Sequence, residues 1–341
     1  MAAFTDIVNK KWVRNLKDIL AFRESGILLA LVVIGVVVSS ISPSFRTPTN
    51  LLTIARQMSV VAIVAMGQTL VIISGGFDLS QGSVAGLAAI VSSIAAARWG
   101  WPVPVCILIM GVGIGVACGF FNGLLITRLR LHPVVATLAT SSIFTGLLLV
   151  QTESIPVRGV PESFLWIGRG YLGLGSISIP IPVLVMLLIA LVMHYVLIRL
   201  IFGRHTFAIG SNAEAARLSG VNVERVQLGV FTLSGLLAGL GGVIMVGRHG
   251  AGLPYIGTGM LTPVIAAAVI GGTLLSGGVG SMAGTIIGAA IMSVLGNALI
   301  VLQINFLYQD VVLGFAVLVA VLIDQFRRGN LTFKSIFPGR R

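Results

Sequence analysis

Apolar residues run along this chain in long unbroken stretches, such as the eleven from Val183 to Met193, and short polar segments punctuate them. The runs neither alternate, as a half-buried strand would, nor recur once per helical turn, as a surface helix would. A bilayer core about 30 Å thick takes roughly 20 apolar residues per crossing helix. Backbone groups in lipid must be paired internally, so helices and closed barrels are the only choices, and unbroken runs select helices. The pattern predicts an all-α, polytopic transmembrane bundle of about ten spans, at 26–43, 58–74, 83–98, 103–127, 133–151, 180–200, 227–247, 259–275, 281–302 and 308–324. Ten spans put both termini on one side.

Composition agrees: 56% of the 341 residues are hydrophobic and 9% charged, against roughly a quarter charged in a soluble domain. A net charge of +12 raises nucleic acid as a partner, but all four lysines are terminal (Lys10, Lys11, Lys17 and Lys334), which leaves no basic groove for a phosphate backbone. Membrane sidedness explains the excess. Sixteen of the 22 Lys and Arg fall in the terminal segments or in loops on the same side as the termini, so the termini are expected in the cytoplasm. Trp99, Trp101 and Trp166 fall on the opposite side, where amphipathic rings suit a headgroup boundary, and the longest loop there, about 152–179, is long enough to dock another protein. The expected organisation is a basic amphipathic segment at 1–24 without a cleavage site, a membrane domain at 25–325 with a cytoplasmic loop at about 201–226, and a basic cytoplasmic tail at 326–341. Cys106 and Cys118 share one apolar run and would stand roughly 18 Å apart on a helix, too far to bridge.

Glycine is abundant, 43 residues, and clusters inside spans: Gly111, Gly113, Gly115, Gly119 and Gly123 in the fourth, Gly284, Gly288 and Gly296 in the ninth. Small residues at four-residue spacing let helix backbones approach closely, and the same residues can line a thin-walled pore. One pattern, GGxxLSxG, occurs twice, at Gly75–Gly82 and Gly271–Gly278, each between apolar runs and each followed by an Asn late in a span, Asn122 and Asn297. Internal repeats with glycine-interrupted helices mark transport paths in many carriers. The candidate pathway or gating residues are therefore Gly75, Gly76, Asp78, Ser80, Gly82 and Asn122, with Gly271, Gly272, Ser276 and Asn297 in the second copy.

The cytoplasmic loop between the sixth and seventh spans contains EAAxxxG: Gly210, Asn212, Glu214, Ala215, Ala216, Arg217, Ser219 and Gly220. Asn212 suits the N-cap of a short helix with Glu214 in its first turn, and Gly220 suits its C-terminal stop. Such a helix can dock into a groove on a cytoplasmic partner and pass on a rigid-body push.

Taken together, Gly67–Ile72 (GQTLVI), Gly75–Ser83 (GGFDLSQGS), His132–Leu138 (HPVVATL), the EAAxxxG loop and Ala266–Gly280 (AAAVIGGTLLSGGVG) make the chain resemble, over roughly residues 26–325, the permease subunits of bacterial ribose-type ABC sugar importers. The resemblance implies a passage for a ribose-like or other monosaccharide, formed with a second permease copy or paralogue in the bacterial inner membrane. It also implies a periplasmic binding protein that delivers the sugar and an ATPase subunit, carrying ATP and Mg, that presses on the EAAxxxG loop. This chain departs from the family pattern at Leu261–Val264, where an acidic residue is usual, and at Gln68 and Gln81, where Met and Val are commoner.

Asp78 lies between the second and third expected spans, and it reads equally as the N-cap of the third span or as a gating contact. The runner-up function, an ion-coupled secondary transporter of a small polar solute, needs buried carboxylates, His or Arg at mid-membrane, and only Asp78 is a candidate. His132, His194, His205 and His249 are scattered, so no metal site is expected. A phosphate-cradling GxxxxGK[ST] loop requires a Lys, and none lies between Lys17 and Lys334, so this chain is expected to bind no ATP and to carry no enzymatic site or cofactor of its own.

Overall fold

A computed structural model describes residues 25–174, 177–305, 308, 311–315, 318–319 and 322. The expected basic segments at 1–24 and 326–341, and most of the expected span at 308–324, lie outside the described residues. Nine apolar helices overlap the first nine expected spans: α1 (Ser25–Ile41), α2 (Pro48–Ile73), α3 (Gln81–Ala97), α4 (Val103–Thr127), α5 (Pro133–Thr152), α7 (Ile181–Arg199), α10 (Val223–His249), α11 (Leu261–Ile270) and α12 (Met282–Val301). Six of these, α2, α4, α5, α7, α10 and α12, are long and apolar enough to cross a bilayer by themselves. Three further helices lie in the connections: α6 (Glu162–Arg169), α8 (Ile201–Ser211) and α9 (Ala213–Leu218).

Local chemistry sets the ends. Proline occupies the first turn of α2, α5 and α7, where its missing N–H costs nothing. Left-handed residues stop α5 at Glu153 and α10 at Gly250, as C-terminal caps require.

Helix α2 is the axis of the bundle, with every residue from Ser59 to Ile73 buried. A helix apolar on all sides belongs where protein surrounds it, and α7, α10, α11 and α12 pack around this one. By contrast α1, α4, α5 and α7 expose large side chains, among them Val36, Leu108, Val150 and Leu191; these faces meet lipid.

The most extensive helix pair is α4 with α10, and glycine makes it possible. A Cβ on Gly115 would stand 2.8 Å from the Cα of Gly239, and one on Gly119 2.9 Å from the Cα of Gly235, so the two backbones touch. Lipid tails are as apolar as side chains, and close backbone packing therefore supplies the attraction that burial supplies in water. The tight-packing reading of the fourth-span glycines is the one the structure favours. The N-terminal half of α4, Cys106–Gly113, is a π-helix, a widened turn that brings Gly111 against Val243.

The eighth expected span, 259–275, differs from expectation. Its helix, α11, has only ten residues, about 15 Å at the helical rise, or half a bilayer. Non-helical chain from Gly250 to Met260 precedes it, and Gly250, Gly252, Pro254, Gly257 and Gly259 disfavour a helix there. That segment lies along α3: Gly252 faces Ser93 and Ile90, and Gly257 faces Gly82 and Gly86.

The long loop expected at 152–179 is folded. Amphipathic α6 lays Gly168 on the end of α10, and an antiparallel hairpin, β1 (Tyr171–Leu174) with β2 (Ile177–Pro180), leads into α7. Arg56, Arg169, Tyr171 and Arg248 gather there. The Arg56 guanidinium stacks 4.6 Å over the Tyr171 ring and Arg169 Nε donates to the Arg248 carbonyl at 2.9 Å.

Candidate coupling and pathway site

The EAAxxxG segment folds as read. Asn212 Oδ1 accepts from Ala215 N–H at 2.9 Å, capping α9, and Gly220, at φ +85°, ends it with its N–H on the Arg217 carbonyl. Glu214, Ala215 and Arg217 are exposed, and Ser219 follows as the C-cap; Ala216 turns inward and is buried, so only part of the alanine face is presented outward. Leu218 was not among the candidates, yet at 85% it is the most exposed large apolar side chain among the described residues. A leucine two residues after the EAA core, four from Glu214, is the signal that would have found it.

Helix α8, which the sequence had left within a loop, joins α7 to α9. Its last turn is wedged into the bundle at Gly210. A Cβ there would collide with the Ile73 carbonyl at the end of α2 and stand 2.5 Å from the amide nitrogen of Gly278. Those two groups are themselves bonded, Gly278 N–H donating to Ile73 O at 2.9 Å. Gly75, Gly210, Gly277 and Gly278 thus form one backbone cluster in which both copies of the repeat and the root of α9 meet.

The two copies share a turn geometry, displaced by one residue from the GGxxLSxG alignment. After α2, Gly75 adopts φ +80° and Gly76 N–H reaches back to the Val71 carbonyl; after α11, Gly272 adopts φ +87° and Thr273 N–H reaches the Ala268 carbonyl. Gly75 therefore matches Gly272, not Gly271. Gly271 instead packs against the backbone of Gly284 on α12. Ser276 is exposed at the tip of the second turn, while Gly277 and Gly278 beside it, absent from the candidates, make the contact with Gly210.

Asp78 is buried just beyond the first turn and is not the N-cap of α3; Ser80 holds that place. Asp78 Oδ1 accepts from Ser80 N–H (2.9 Å) and Ser80 Oγ–H (2.6 Å), and Oδ2 accepts from Ser234 Oγ–H on α10 (2.9 Å). Asn122 Nδ2 donates to Ser80 Oγ and Gln81 Nε2 to Ser234 Oγ, both at 2.7 Å. A buried carboxylate is tolerated when such donors surround it, and here they tie the first turn to α3, α4 and α10. Among the described residues it is the only buried carboxylate. Gln81 Oε1, Asn122 Oδ1 and both amide atoms of Gln68 remain buried without a partner.

Asn297 lies elsewhere. It exchanges two hydrogen bonds, 2.9 and 2.8 Å, with Asn50 at the other end of α2, so Asn122 and Asn297 do not hold equivalent places. Gly76 packs on Phe231 and Gly82 under the Gly257 carbonyl. No cluster of His, Cys, Asp or Glu fit for a metal occurs among the described residues, and both cysteines are free and buried.

Residues 50–322 match the family described as branched-chain amino acid transport system / permease component. The ribose import permease of Bacillus subtilis is 40% identical over 89% of this chain and 93% of its own. The D-allose transport system permease of Escherichia coli is 36% identical over 88% and 91%, and the L-arabinose ABC transporter permease of Azospirillum brasilense 33% over 90% and 89%. No solved structure matches. A buried axial helix, twinned glycine turns and an outward-facing capped helix at their junction occur here in a sequence matching these permeases along nearly its whole length, and the chain belongs to the ribose-type family of ABC sugar-import permeases.

Proposed function

We propose that this multi-pass membrane protein forms, with a second permease copy, the route by which a neutral monosaccharide delivered by a periplasmic binding protein enters a bacterial cytoplasm. The route is driven by ATP hydrolysed on a separate subunit that docks on α9. The observation that carries this reading is the backbone cluster at Gly210. A push on the exposed Glu214, Ala215 and Leu218 reaches, through Gly210, the end of α2 and the Gly277–Gly278 turn between α11 and α12. From the first turn it continues through Asp78 to α10 and through Ser80 to α4. Packed backbones without side chains between them cannot absorb displacement, so the turns move with α8.

Ribose, allose and arabinose appear in the names of relatives of similar identity, so the sugar for this chain is the choice of its binding protein. An ion-coupled carrier is disfavoured because Asp78 already accepts three hydrogen bonds. Purifying the tagged chain from its native membrane tests the assembly. A nucleotide-binding subunit should copurify and be lost in Leu218→Glu; its absence from the wild-type preparation would count against the proposal.

A further inference from the structure

We infer that the segment Tyr255 to Thr262, the end of the non-helical stretch together with the first two residues of α11, lines the aqueous route and supplies the hydrogen bonds that a passing polyhydroxylated solute exchanges for water. This deepens the reading above and rests on it, because it presumes that this chain forms the route.

The depth of the segment follows from its neighbours. Helix α10 has 27 residues, roughly 40 Å at the helical rise. Gln81 pairs with its Ser234, and Gly242 packs against the Ala85 carbonyl. The first turn of α3 is therefore level with the middle of α10. Gly257 sits on that first turn, against Gly82 and Gly86, so the segment runs at mid-membrane.

At that depth it is open. Tyr255, Thr258, Gly259 and Thr262 are exposed, Tyr255 by 61%. Among the described residues, the N–H groups of Tyr255, Gly259 and Thr262 and the carbonyls of Thr258 and Gly259 have no protein partner, and neither do the two threonine hydroxyls. Each such group in hydrocarbon costs several kcal/mol, and non-helical backbone at membrane depth persists only where protein buries it or water reaches it. The exposed face of this strip cannot look onto lipid. It carries neutral donors and acceptors in alternation and no charge, a chemistry suited to sugar hydroxyls and poor for ions. The sequence Leu261–Val264, which departs from the family by lacking an acidic residue, ends the strip without introducing one.

The test uses the assembled transporter in proteoliposomes, with Cys106 and Cys118 replaced by Ala, and single variants Thr258→Cys, Thr262→Cys and, as lipid-facing reference, Leu191→Cys. Thiolates form only where water reaches, so a sulfonated methanethiosulfonate should modify the two threonine positions at least about tenfold faster than position 191. Equal, slow reaction at all three, with the threonine positions modified instead by a lipid-soluble maleimide, would overturn the inference. So would spontaneous disulfides between two copies at these positions with no modification, since the strip would then be a dry subunit interface. Thr258→Val and Thr262→Val complete the test: each removes one hydroxyl and should lower ATP-driven sugar uptake about fivefold, the value of one modest hydrogen bond. Fast labelling in a preparation that moves no sugar from a panel would uphold the lining strip and sink the sugar reading alone.

Discussion

At Gly210 an added methyl group would occupy the space of the Ile73 carbonyl and the Gly278 amide. Both obstacles are backbone, so neither can rotate away. Gly210→Ala is expected to part α8 from the two turns and to lower ATP-driven uptake more than about tenfold, a barrier change of at least roughly 1.4 kcal/mol. The check is uptake compared with ATPase rate in the same vesicles, where hydrolysis should continue while transport fails. Gln68 predicts the opposite kind of change. Its amide is fully buried with both polar atoms unpaired, and replacing it by Met, of similar volume, removes an unsatisfied group worth about 1–3 kcal/mol. Gln68→Met should raise the unfolding temperature of the detergent-solubilised protein. A lower temperature would show that the amide is satisfied in the assembly. Asp78 illustrates what a residue pattern hides: the sequence shows a carboxylate beside glycines, but Ser234, its partner on α10, lies 156 positions away. No local spacing encodes that pairing.

Among the elements, those driven by apolar length were legible and those driven by backbone detail were not. Helices at the positions of the first nine expected spans could be placed because lipid demands apolar helices, a constraint written into composition, and six of them are long enough to cross. The short helix α9 could be read because Asn212 and Gly220 are caps with a fixed chemistry. Helices α6 and α8 and the hairpin were missed, since packing and not composition stabilises them. Truncation of α11 was missed because a run rich in Ala and Val looks the same whether it crosses half a bilayer or all of it. The α4–α10 seam gives an element-scale prediction. Gly119→Leu places a branched side chain where the Phe231 carbonyl and Gly235 backbone lie; overpacking of this kind costs about 1–3 kcal/mol or more. The folded fraction in fluorescence-detected size exclusion should drop sharply, whereas Leu191→Ala on the lipid face should leave it unchanged. On α9, Leu218 bears on nothing within the described chain, so Leu218→Glu should leave thermal stability within about 0.5 kcal/mol of wild type and weaken only retention of the ATPase subunit.

At the scale of the molecule, the described residues form a buried axis, α2, clasped by α10 and α12, with apolar side chains exposed on an outer shell and with α8 touching both repeats at Gly210. That arrangement separates roles. On the proposed function, sugar recognition is left to a delivery protein, energy to an ATPase, and this chain holds the geometry that links them. Among the described residues Asp78 is the only buried carboxylate, which suits the proposed function: a passage driven by a partner needs hydrogen-bonding walls and hinges, not coupling carboxylates. The most direct test is uptake of a radiolabelled sugar into proteoliposomes holding this chain with and without its ATPase subunit, binding protein and ATP. The account predicts uptake only when all are present, and its collapse in Gly210→Ala. Accumulation by this chain alone, driven by an ion gradient and abolished in Asp78→Asn, would contradict it.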